Sequence, residues 1–217
     1  MITINDLNDL KIMIEFCMEQ YRNETQEHIF TLPKTIVEQI NHPANIYYKA
    51  LYAMAKMISN KAPRFPKMPI IWKNPMLLDM GTYQGISAYM MAVDDCLVVD
   101  TIDIDLDSVF DEEILNTYCR MFLVKEDYWK EIDYSSYDFI FVDMAHDGVT
   151  EIGVHELLCQ KFNGYAFYDD IDLTEGMKMF WMSIPEENKL SIPEWHPFTQ
   201  HESTLKPGFG IVKYNKV

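Results

Sequence analysis

The stretch LLDMGTYQG, residues 77–85, lies between an apolar run typical of a strand and an apolar stretch, residues 86–93, typical of a helix. A strand, a short loop and a helix in this order form the unit from which α/β sheets are built. Ligands of such sheets bind at the carboxyl ends of the strands, where glycines let the backbone approach closely and take positive φ. The stretch therefore predicts an α/β fold with a ligand site at the loop that contains Gly81 and Gly85.

The loop has the spacing DxGxxxG rather than the GxGxxG of dinucleotide-binding proteins. The dinucleotide motif places three glycines around a pyrophosphate, whereas here a carboxylate precedes only two glycines. That carboxylate would repel a pyrophosphate but would attract the ammonium or sulfonium group of S-adenosylmethionine. The loop therefore favours S-adenosylmethionine over NAD, and its predicted cofactor-binding residues are Asp79, Gly81, Thr82, Tyr83 and Gly85.

Short apolar runs alternate with helical stretches downstream of the loop. The predicted strands are residues 97–104, 121–124, 139–142 and 165–168, and the predicted helices are residues 108–120 and 149–161. This alternation predicts a mostly parallel sheet with helices on both faces. The tail differs, because two β-like runs, residues 195–199 and 209–214, are joined by a turn-rich stretch and predict a closing antiparallel pair.

The first 60 residues predict a helical extension. Apolar side chains between Leu7 and Tyr21 recur at steps of three and four, which places them on one helical face. Pro33 and Asn45 can begin two further helices. Residues 61–75 contain four prolines, which exclude a continuous helix, and four basic residues, which fit a solvated connector or the recognition of an anionic substrate. The predicted segments are therefore helices over 1–60, a linker over 61–75 and an α/β domain over 76–217.

The strand at residues 97–104 leads into two acidic residues. Asp103 lies 22 residues beyond Gly81, close to the separation at which an acidic side chain accepts hydrogen bonds from ribose hydroxyls in nucleotide-binding sheets. Ile104 beside it is also predicted to contact the cofactor. Asp105 is predicted to cap the next helix.

A second acidic cluster is predicted at the ends of two neighbouring strands. Asp143 follows one apolar run, and Asp169 with Asp170 follows the next. Three converging carboxylates repel one another unless a cation or a proton compensates, and oxygen ligands of this kind suit Mg²⁺. His146 has an ordinary pKa suited to removing a proton near neutral pH; alternatively it caps the following helix or hydrogen-bonds Asp169.

Four motifs in order, LLDMGTYQGISA, VVDTIDID, YDFIFVDMAHDG and GYAFYDDI, resemble those of the class I S-adenosylmethionine-dependent methyltransferases. They are especially similar to the branch of the catechol-type and the small-molecule and sugar O-methyltransferases, over about residues 76–214. The resemblance implies a Rossmann-like fold with a seven-stranded, mostly parallel sheet and an antiparallel C-terminal hairpin strand. It also implies O-methylation of a small-molecule hydroxyl in a sugar, a natural product or a phenol.

The resemblance implies a role for each matching residue of the cofactor site. Asp79, Gly81 and Gly85 match the cofactor loop. Asp103 matches the acidic residue that binds ribose, and Asp127 matches a position that often meets the adenine amino group. A solvated strand end is the alternative for Asp127.

At the second cluster, the resemblance implies a divalent metal ion such as Mg²⁺ held by Asp143, Asp169 and Asp170, although the third ligand in catechol-type enzymes is usually asparagine. Asp143 is also predicted to lie against the cofactor and to take part in catalysis. His146 stands where that family has a lysine as base. A metal ion would lower the pKa of the substrate hydroxyl while His146 takes its proton.

The composition disfavours several classes of partner. The chain of 217 residues has a net charge of −16, whereas broad binding of nucleic acid or of an anionic membrane relies on basic side chains. No run of about 18 apolar residues is present, so no membrane span is expected. The first ten residues do not have the pattern of a signal peptide, and the expected location is the cytoplasm.

Two further kinds of function are compatible with these motifs. A binding or regulatory module could keep the methyltransferase fold without chemistry, and a nicotinamide-dependent oxidoreductase is disfavoured by the two-glycine loop. Homo-oligomerisation is also open. His196 and His201 are candidates for lining the substrate mouth. The four cysteines have no CxxC spacing and are expected to be buried free thiols in a reducing compartment; they are Cys17, Cys96, Cys119 and Cys159.

Overall fold

The computed structural model of the protein describes residues 6–61, 74–197 and 207–215. The greater part of the predicted linker, with Arg64, Lys67 and Lys73, lies outside these residues, as does His201. Within the described ranges, no helix combines the length and the apolar composition that crossing a bilayer would require.

Seven strands form one sheet in the described residues. They are β1 (Met76–Met80), β2 (Val98–Asp103), β3 (Arg120–Leu123), β4 (Phe139–Val142), β5 (Gly164–Asp169), β6 (Lys189–Ser191) and β7 (Phe209–Tyr214). Their order is β3-β2-β1-β4-β5-β7-β6. Strands β1 to β5 pair in parallel, whereas β7 pairs antiparallel with both β5 and β6. The predicted seven-stranded, mostly parallel sheet with antiparallel C-terminal strands is confirmed.

The strand order reverses between β1 and β4. From β1 the chain moves outward through β2 and β3, then returns to the other side of β1 to form β4 and β5. Loops at the carboxyl ends of β1 and β4 therefore leave in opposite directions and open a crevice, which is where α/β sheets bind ligands.

Eight α-helices cover both faces of the sheet in the part of the chain that the structure describes. They are α1 (Leu7–Gln20), α2 (Arg22–Ile29), α3 (Lys34–Asn41), α4 (Ile46–Lys61), α5 (Ile86–Met91), α6 (Glu112–Tyr118), α7 (Val149–Lys161) and α8 (Glu175–Ser183). Helices α1 to α6 contribute buried side chains to the core on one face, and α7 and α8 contribute to the core on the other.

Strand β4 is continuously apolar because it is buried on both faces of the sheet. Phe139 and Phe141 belong to the core under α1 to α6, whereas Ile140 and Val142 belong to the core under α7 and α8. Successive side chains of a strand point to opposite faces, so a strand buried on both sides needs apolar residues at every position.

The N-terminal helices share a core with the sheet. Leu10 of α1 and Leu51 of α4 are fully buried in the same cluster as Leu77 of β1 and Phe139 of β4. Helix α4 packs between α1 and α5. The predicted helical extension is therefore one of the layers that bury the sheet.

The tail prediction of a strand at residues 195–199 is wrong within the described residues. Residues Pro193–Trp195 form a short 3₁₀ helix, and the strand that pairs with β7 is Lys189–Ser191. Trp195 is buried because its ring packs 5.7 Å from that of Phe209, a contact outside the sheet ladder. The large apolar residues of this segment resembled those of a strand, but Trp195 is buried by side-chain packing and not by pairing in the sheet.

Two helices and one cap were also missed. Helix α2 is mostly polar and buries only Thr25 and Ile29, so it has no apolar periodicity to find. Helix α8 follows β5 and is capped by Thr174. The predicted cap at Asp105 is wrong, because α6 begins later and Asp111 accepts the N–H of Ile114 (2.9 Å).

The cysteines are unpaired, as expected, but not all are buried. Cys17 and Cys119 are buried and Cys96 is partly buried, whereas Cys159 on α7 is exposed. Helix α7 presents one side to solvent, and the position of Cys159 on that side corrects the expectation of burial.

Candidate active site

The loop after β1 is held between two neighbouring strands. Gly81 has φ of +101°, and a Cβ at this position would lie 1.7 Å from the carbonyl oxygen of Asp143. The N–H of Gly81 donates to the carbonyl of Ile102 (2.9 Å). Gly85 begins α5 with φ of +81°, a conformation that favours glycine. A side chain at Gly81 would therefore push the loop away from the end of β4.

Asp79 lies beneath this loop, out of contact with solvent. Its side chain is fully buried, and its Oδ2 accepts a hydrogen bond from the hydroxyl of Thr101 (2.6 Å). The hydroxyl of Thr82 also lies 2.6 Å from that of Thr101. The Oδ1 atom of Asp79 has no hydrogen-bond partner. Burial raises the pKa of Asp79 to about 7, against the opposing effect of hydrogen bonds from Thr101 and Ser87.

Asp103 joins the loop to the end of β2. Its Oδ2 accepts the N–H of Tyr83 (2.8 Å), and its Oδ1 accepts the N–H of Asp105 (3.1 Å). Each carboxylate oxygen can accept further bonds. Asp127 is exposed beyond β3 and pairs with Lys130 (2.9 Å).

The second cluster forms where β4 and β5 end side by side. His146 Nε2 lies 2.8 Å from Asp143 Oδ1 and 3.5 Å from Asp170 Oδ2. His196 Nδ1 lies 2.6 Å from Asp169 Oδ1 and 3.7 Å from Asp170 Oδ1. Three carboxylates and two imidazoles therefore converge. The predicted convergence of Asp143, Asp169, Asp170 and His146 is found in the structure, and the alternative contact of His146 with Asp169 is replaced by one with Asp143.

His196 is the member of the cluster that the sequence did not place there. It was predicted as a candidate for lining the substrate mouth; it does line the cavity described below, and it also hydrogen-bonds the buried Asp169, 27 residues earlier. No local spacing connects the two residues. The antiparallel return of the tail through β6 and β7 brings them together.

The backbone of the site is locally strained. Three non-glycine residues in the described ranges have positive φ: Tyr83 (+41°), His146 (+53°) and Asp170 (+55°). Left-handed backbone costs an L-residue about 1–2 kcal/mol, so such residues concentrate where surrounding contacts enforce a functional geometry. All three line the cavity described below.

The loop that carries His146 is fixed by Glu151. The buried carboxylate of Glu151 accepts the N–H groups of His146 and Gly148, both at 2.9 Å. The hydroxyl of Thr174 donates to the carbonyl of His146 (2.8 Å). The alternative in which His146 caps α7 is wrong, because Gly148 is the N-cap and its N–H donates to the side chain of Glu151.

Burial and neighbouring charges shift the pKa values of the cluster. Burial lowers the pKa of His146, but the hydrogen bond and charge of Asp143, with the charge of Asp170, raise it overall to about 9. Burial and the charge of Asp169 raise the pKa of Asp170 to about 7. Burial also opposes protonation of His196, yet its hydrogen bond to Asp169 raises the pKa. The neighbouring carboxylates therefore stabilise the protonated form of each imidazole.

A cavity of about 760 Å³ connects the two halves of the site. Its volume is in the range of small-molecule and cofactor sites. The predicted site residues that line it are Gly81, Tyr83, Asp103, Ile104, Asp127, Asp143, His146, Asp169 and Asp170, and His196 also lines it. The cavity is not lined by Asp79, Thr82 or Gly85. Their predicted role in cofactor binding would therefore be indirect, through the loop that they support.

The N-terminal helices supply the remaining wall of the cavity. Gln39 of α3, with Asn45, Tyr47 and Tyr48 at the start of α4, lines it. The rings of Tyr47 and His196 lie 4.9 Å apart. The sequence pattern predicts that Tyr47 lies on the buried side of its helix. It does not predict that this side faces the cavity, because periodicity indicates which face of a helix is buried but not which residues that face contacts.

The cluster suits a divalent cation. Two groups of potential ligand atoms, in each of which all atoms lie within 4.8 Å of one another, are Asp143–His146–Asp170 and Asp169–Asp170–His196. Each predicted carboxylate belongs to one or both groups. Carboxylate oxygen and imidazole nitrogen are both ligands of divalent metal ions. The donor set fits the implied metal and adds nitrogen to it.

No family model matches the sequence, and no curated protein matches it. Several solved structures resemble the fold. A Staphylococcus aureus protein provisionally named a caffeoyl-CoA O-methyltransferase has 13% identity and a TM-score of 0.57, over 92% of this chain and 98% of that one. A S-adenosylmethionine-dependent O-methyltransferase from Thermotoga maritima has 13% identity and a TM-score of 0.55, over 86% and 73%.

A Klebsiella pneumoniae protein provisionally named an O-methyltransferase has 12% identity and a TM-score of 0.53, over 92% of this chain and 90% of that one. At such identities the likeness shows the fold. The chain therefore has the fold of the class I S-adenosylmethionine-dependent methyltransferases, as the four sequence motifs predicted.

Proposed function

We propose that the protein is a S-adenosylmethionine-dependent methyltransferase that methylates a hydroxyl oxygen of a small molecule. The observation that carries this proposal is a single cavity lined both by the glycine loop with Asp103 and by the cluster of aspartates and histidines. A methyl transfer needs the cofactor and the acceptor side by side, and holding two reactants in line can remove a large part of the barrier to reaction.

S-adenosylmethionine supplies a methyl group that is already activated on a sulfonium sulfur. Gly81 and Tyr83 line the cavity, and the carboxylate of Asp103, which accepts the N–H of Tyr83, would accept ribose hydroxyls. Ile104 and Asp127 line the same cavity and would contact the adenine. Asp79 holds the loop from below through Thr101.

The second cluster is assigned to the acceptor. Asp143, Asp169 and Asp170 would hold a divalent ion such as Mg²⁺, which supplies positive charge that lowers the pKa of a hydroxyl. Asp143 also carries the backbone carbonyl against which Gly81 packs, so it belongs to both halves of the site. The protein's part is to fix these side chains on two adjacent strand ends.

His146 is the residue proposed to take the proton that the hydroxyl loses. Its ring is oriented by Asp143 and its backbone by Glu151. With a pKa of about 9, it holds a proton at neutral pH when no other positive charge is near. Positive charge in the cluster would lower that pKa, because like charges repel. A neutral imidazole would then be available as a base.

The wall made by the N-terminal helices indicates a small substrate. Tyr47 and Tyr48 offer aromatic surface, while Gln39 and Asn45 offer amide groups. Together these suit a ring with polar substituents, as in a sugar, a phenol or another natural product. The net charge of −16 does not favour an extended nucleic acid as substrate.

Calorimetric titration with S-adenosylmethionine tests the cofactor site. We expect binding that NAD does not displace. Asp103→Asn should weaken it about tenfold, since a hydrogen bond to a charged group contributes about 1.5 kcal/mol or more. Asp105→Asn is the matched control, because Asp105 is exposed and does not line the cavity. A wild-type protein that binds no S-adenosylmethionine would contradict the proposal.

A methyl-transfer assay over a panel of hydroxylated small molecules tests the acceptor site, with S-adenosylhomocysteine formation as the readout. Asp169→Ala should abolish transfer while leaving cofactor binding nearly intact. The control is Asp95→Ala, at an exposed position. Full activity of the Asp169→Ala protein in the presence of a chelator would rule out the metal role.

A second function, a binding module without chemistry, is favoured by one observation. His146 pairs with Asp143 and His196 pairs with Asp169. The two imidazoles can therefore compensate much of the negative charge of the carboxylates without a metal ion. This module would bind S-adenosylmethionine but form no S-adenosylhomocysteine on any acceptor in the panel. Transfer to any hydroxyl compound would exclude it.

A further inference from the structure

His196 is held firmly in its place. It directly follows the 3₁₀ helix Pro193–Trp195, whose buried Trp195 ring packs on Phe209 at 5.7 Å. The N–H of Ile192 donates to the carbonyl of Phe209 (2.7 Å). The ring of Tyr47 lies 4.9 Å from the imidazole. The backbone before the imidazole is therefore anchored to β7, and the imidazole itself lies against the ring of Tyr47.

The distances around His196 are those of atoms that could share one ion. Its Nδ1 lies 2.6 Å from Asp169 Oδ1 and 3.7 Å from Asp170 Oδ1. Ligands at about 2.1 Å from an octahedral ion lie about 3 Å apart when adjacent. The measured separations fall on either side of that value, so small side-chain movements would place all three atoms around a common centre.

The two histidines of the cluster have different surroundings. His146 contacts Asp143 at 2.8 Å, and its side chain is 25% exposed. His196 contacts the buried Asp169, and its side chain is 17% exposed. Asp170 faces His146 with Oδ2 and His196 with Oδ1. His146 therefore faces Asp143 and Asp170, whereas His196 faces Asp169 and Asp170.

We propose that His196 is a nitrogen ligand of the divalent ion, beside Asp169 and Asp170, and that the centre consequently prefers a later first-row transition ion such as Co²⁺ or Ni²⁺ over Mg²⁺. Imidazole suits transition ions, whereas carboxylates and water suit Mg²⁺. The inference rests on the proposed function, because it concerns the metal centre of the same site. It adds a ligand from the tail to the three aspartates.

Pulsed electron paramagnetic resonance of the Mn²⁺-loaded full chain reads nitrogen coordination directly. We expect a ¹⁴N coupling in the wild type that disappears in His196→Gln and persists in His146→Gln. His42→Gln is the matched control, because His42 is exposed and does not line the cavity. Labelling with ¹⁵N-histidine should replace the ¹⁴N coupling by a ¹⁵N coupling in the wild type and in His146→Gln alike, which assigns the ligand to the remaining histidine of the cluster if His196→Gln does not fold. Bound Mn²⁺ without histidine coupling, or coupling lost only in His146→Gln, would overturn the inference.

Calorimetry with Co²⁺ and Mg²⁺ measures the preference. We expect Co²⁺ to bind more tightly than Mg²⁺, and His196→Gln to weaken Co²⁺ by about tenfold or more, since loss of a group that merely orients a ligand already costs about tenfold. Equal affinity for the two ions would overturn the inference. S-adenosylmethionine titration of the same samples separates the outcomes, because failure of the proposed function would remove cofactor binding, whereas failure of the histidine ligand would not.

Discussion

At the scale of single residues, Asp79 is the acidic residue of the loop motif, yet its side chain is fully buried. Thr101 donates to one oxygen, and the other oxygen has no hydrogen-bond partner. A buried charge with incomplete pairing is unfavourable, and the protein responds by raising the pKa to about 7. The charge of Asp79 is therefore a cost to folding at neutral pH and above.

Asp79→Asn should relieve that cost in a pH-dependent way. The folded pKa of about 7 lies above the unfolded value near 3.9, so wild-type stability falls as pH rises through this interval. Asparagine does not titrate. Relative to the wild type, the variant should therefore gain about 2 to 3 kcal/mol in unfolding free energy between pH 5 and pH 8.

Urea unfolding of both proteins at the two pH values measures this gain, because the other titrating groups cancel in the comparison. An equal difference at pH 5 and pH 8 would show that the charged form of Asp79 is accommodated without cost.

The sequence could predict which residues end the strands but not which side chains reach the cavity. Asp103 and Asp143 follow apolar runs, and parallel strands present their carboxyl ends at one edge. Asp79 also ends a strand, but alternation puts it on the side of Leu77, toward the core under α1 to α6. The position of His196 depends on the path of the tail, which no local pattern encodes.

At the scale of elements, the starts of α7 and α8 approach each other through two glycines. A Cβ at Gly148 would lie 2.2 Å from the backbone of Gly176, and one at Gly176 would lie 2.0 Å from the carbonyl oxygen of Asp147. Gly148 also has φ of +79°. This contact fixes the loop that carries His146 against the helix after β5.

Gly148→Ala should separate the two helix starts and displace His146. We expect a loss of about 2 kcal/mol or more in unfolding free energy, from the left-handed backbone and the clash together. Gly153→Ala, in the same helix, is the control: its Cβ would meet only the ring of Trp129, which can turn aside. Denaturant unfolding compares the two, and equal losses would contradict the role assigned to the backbone contact.

Elements with strong patterns were predictable, whereas those fixed by distant packing were not. Continuous apolar runs identified β4 and β5, and the loop glycines identified the start of α5. Helix α2 carries too little apolar surface to show a period, and β6 has only three residues, paired with a strand about 20 positions away. Their structure comes from tertiary contacts that a local pattern does not contain.

At the scale of the whole molecule, the sequence separated a helical extension from an α/β domain, and the structure joins them in one core. Helical periodicity in residues 7–21 showed that one face is buried but not that it lies over the sheet. Leu10 has no exposed surface and shares its cluster with Leu77 and Phe139. The same helices supply Tyr47 and Tyr48 to the cavity. The site therefore depends on their being folded.

Leu10→Ala tests whether the N-terminal helices and the sheet fold as one cooperative unit. The lost contacts and the cavity left behind should lower the unfolding free energy by about 2 to 5 kcal/mol, and the whole chain should unfold in one transition, since the sheet loses part of its cover together with α1. Ile12→Ala is the control, because Ile12 is 64% exposed and should change stability by less than about 0.5 kcal/mol. Far-ultraviolet circular dichroism reports the helices, and fluorescence reports the four tryptophans, of which Trp181 and Trp195 are buried in the core on the two faces of the sheet. Coincident transitions are expected by both probes in both variants, whereas an early helical transition in Leu10→Ala, with tryptophan fluorescence unchanged, would show that the N-terminal helices fold apart from the sheet.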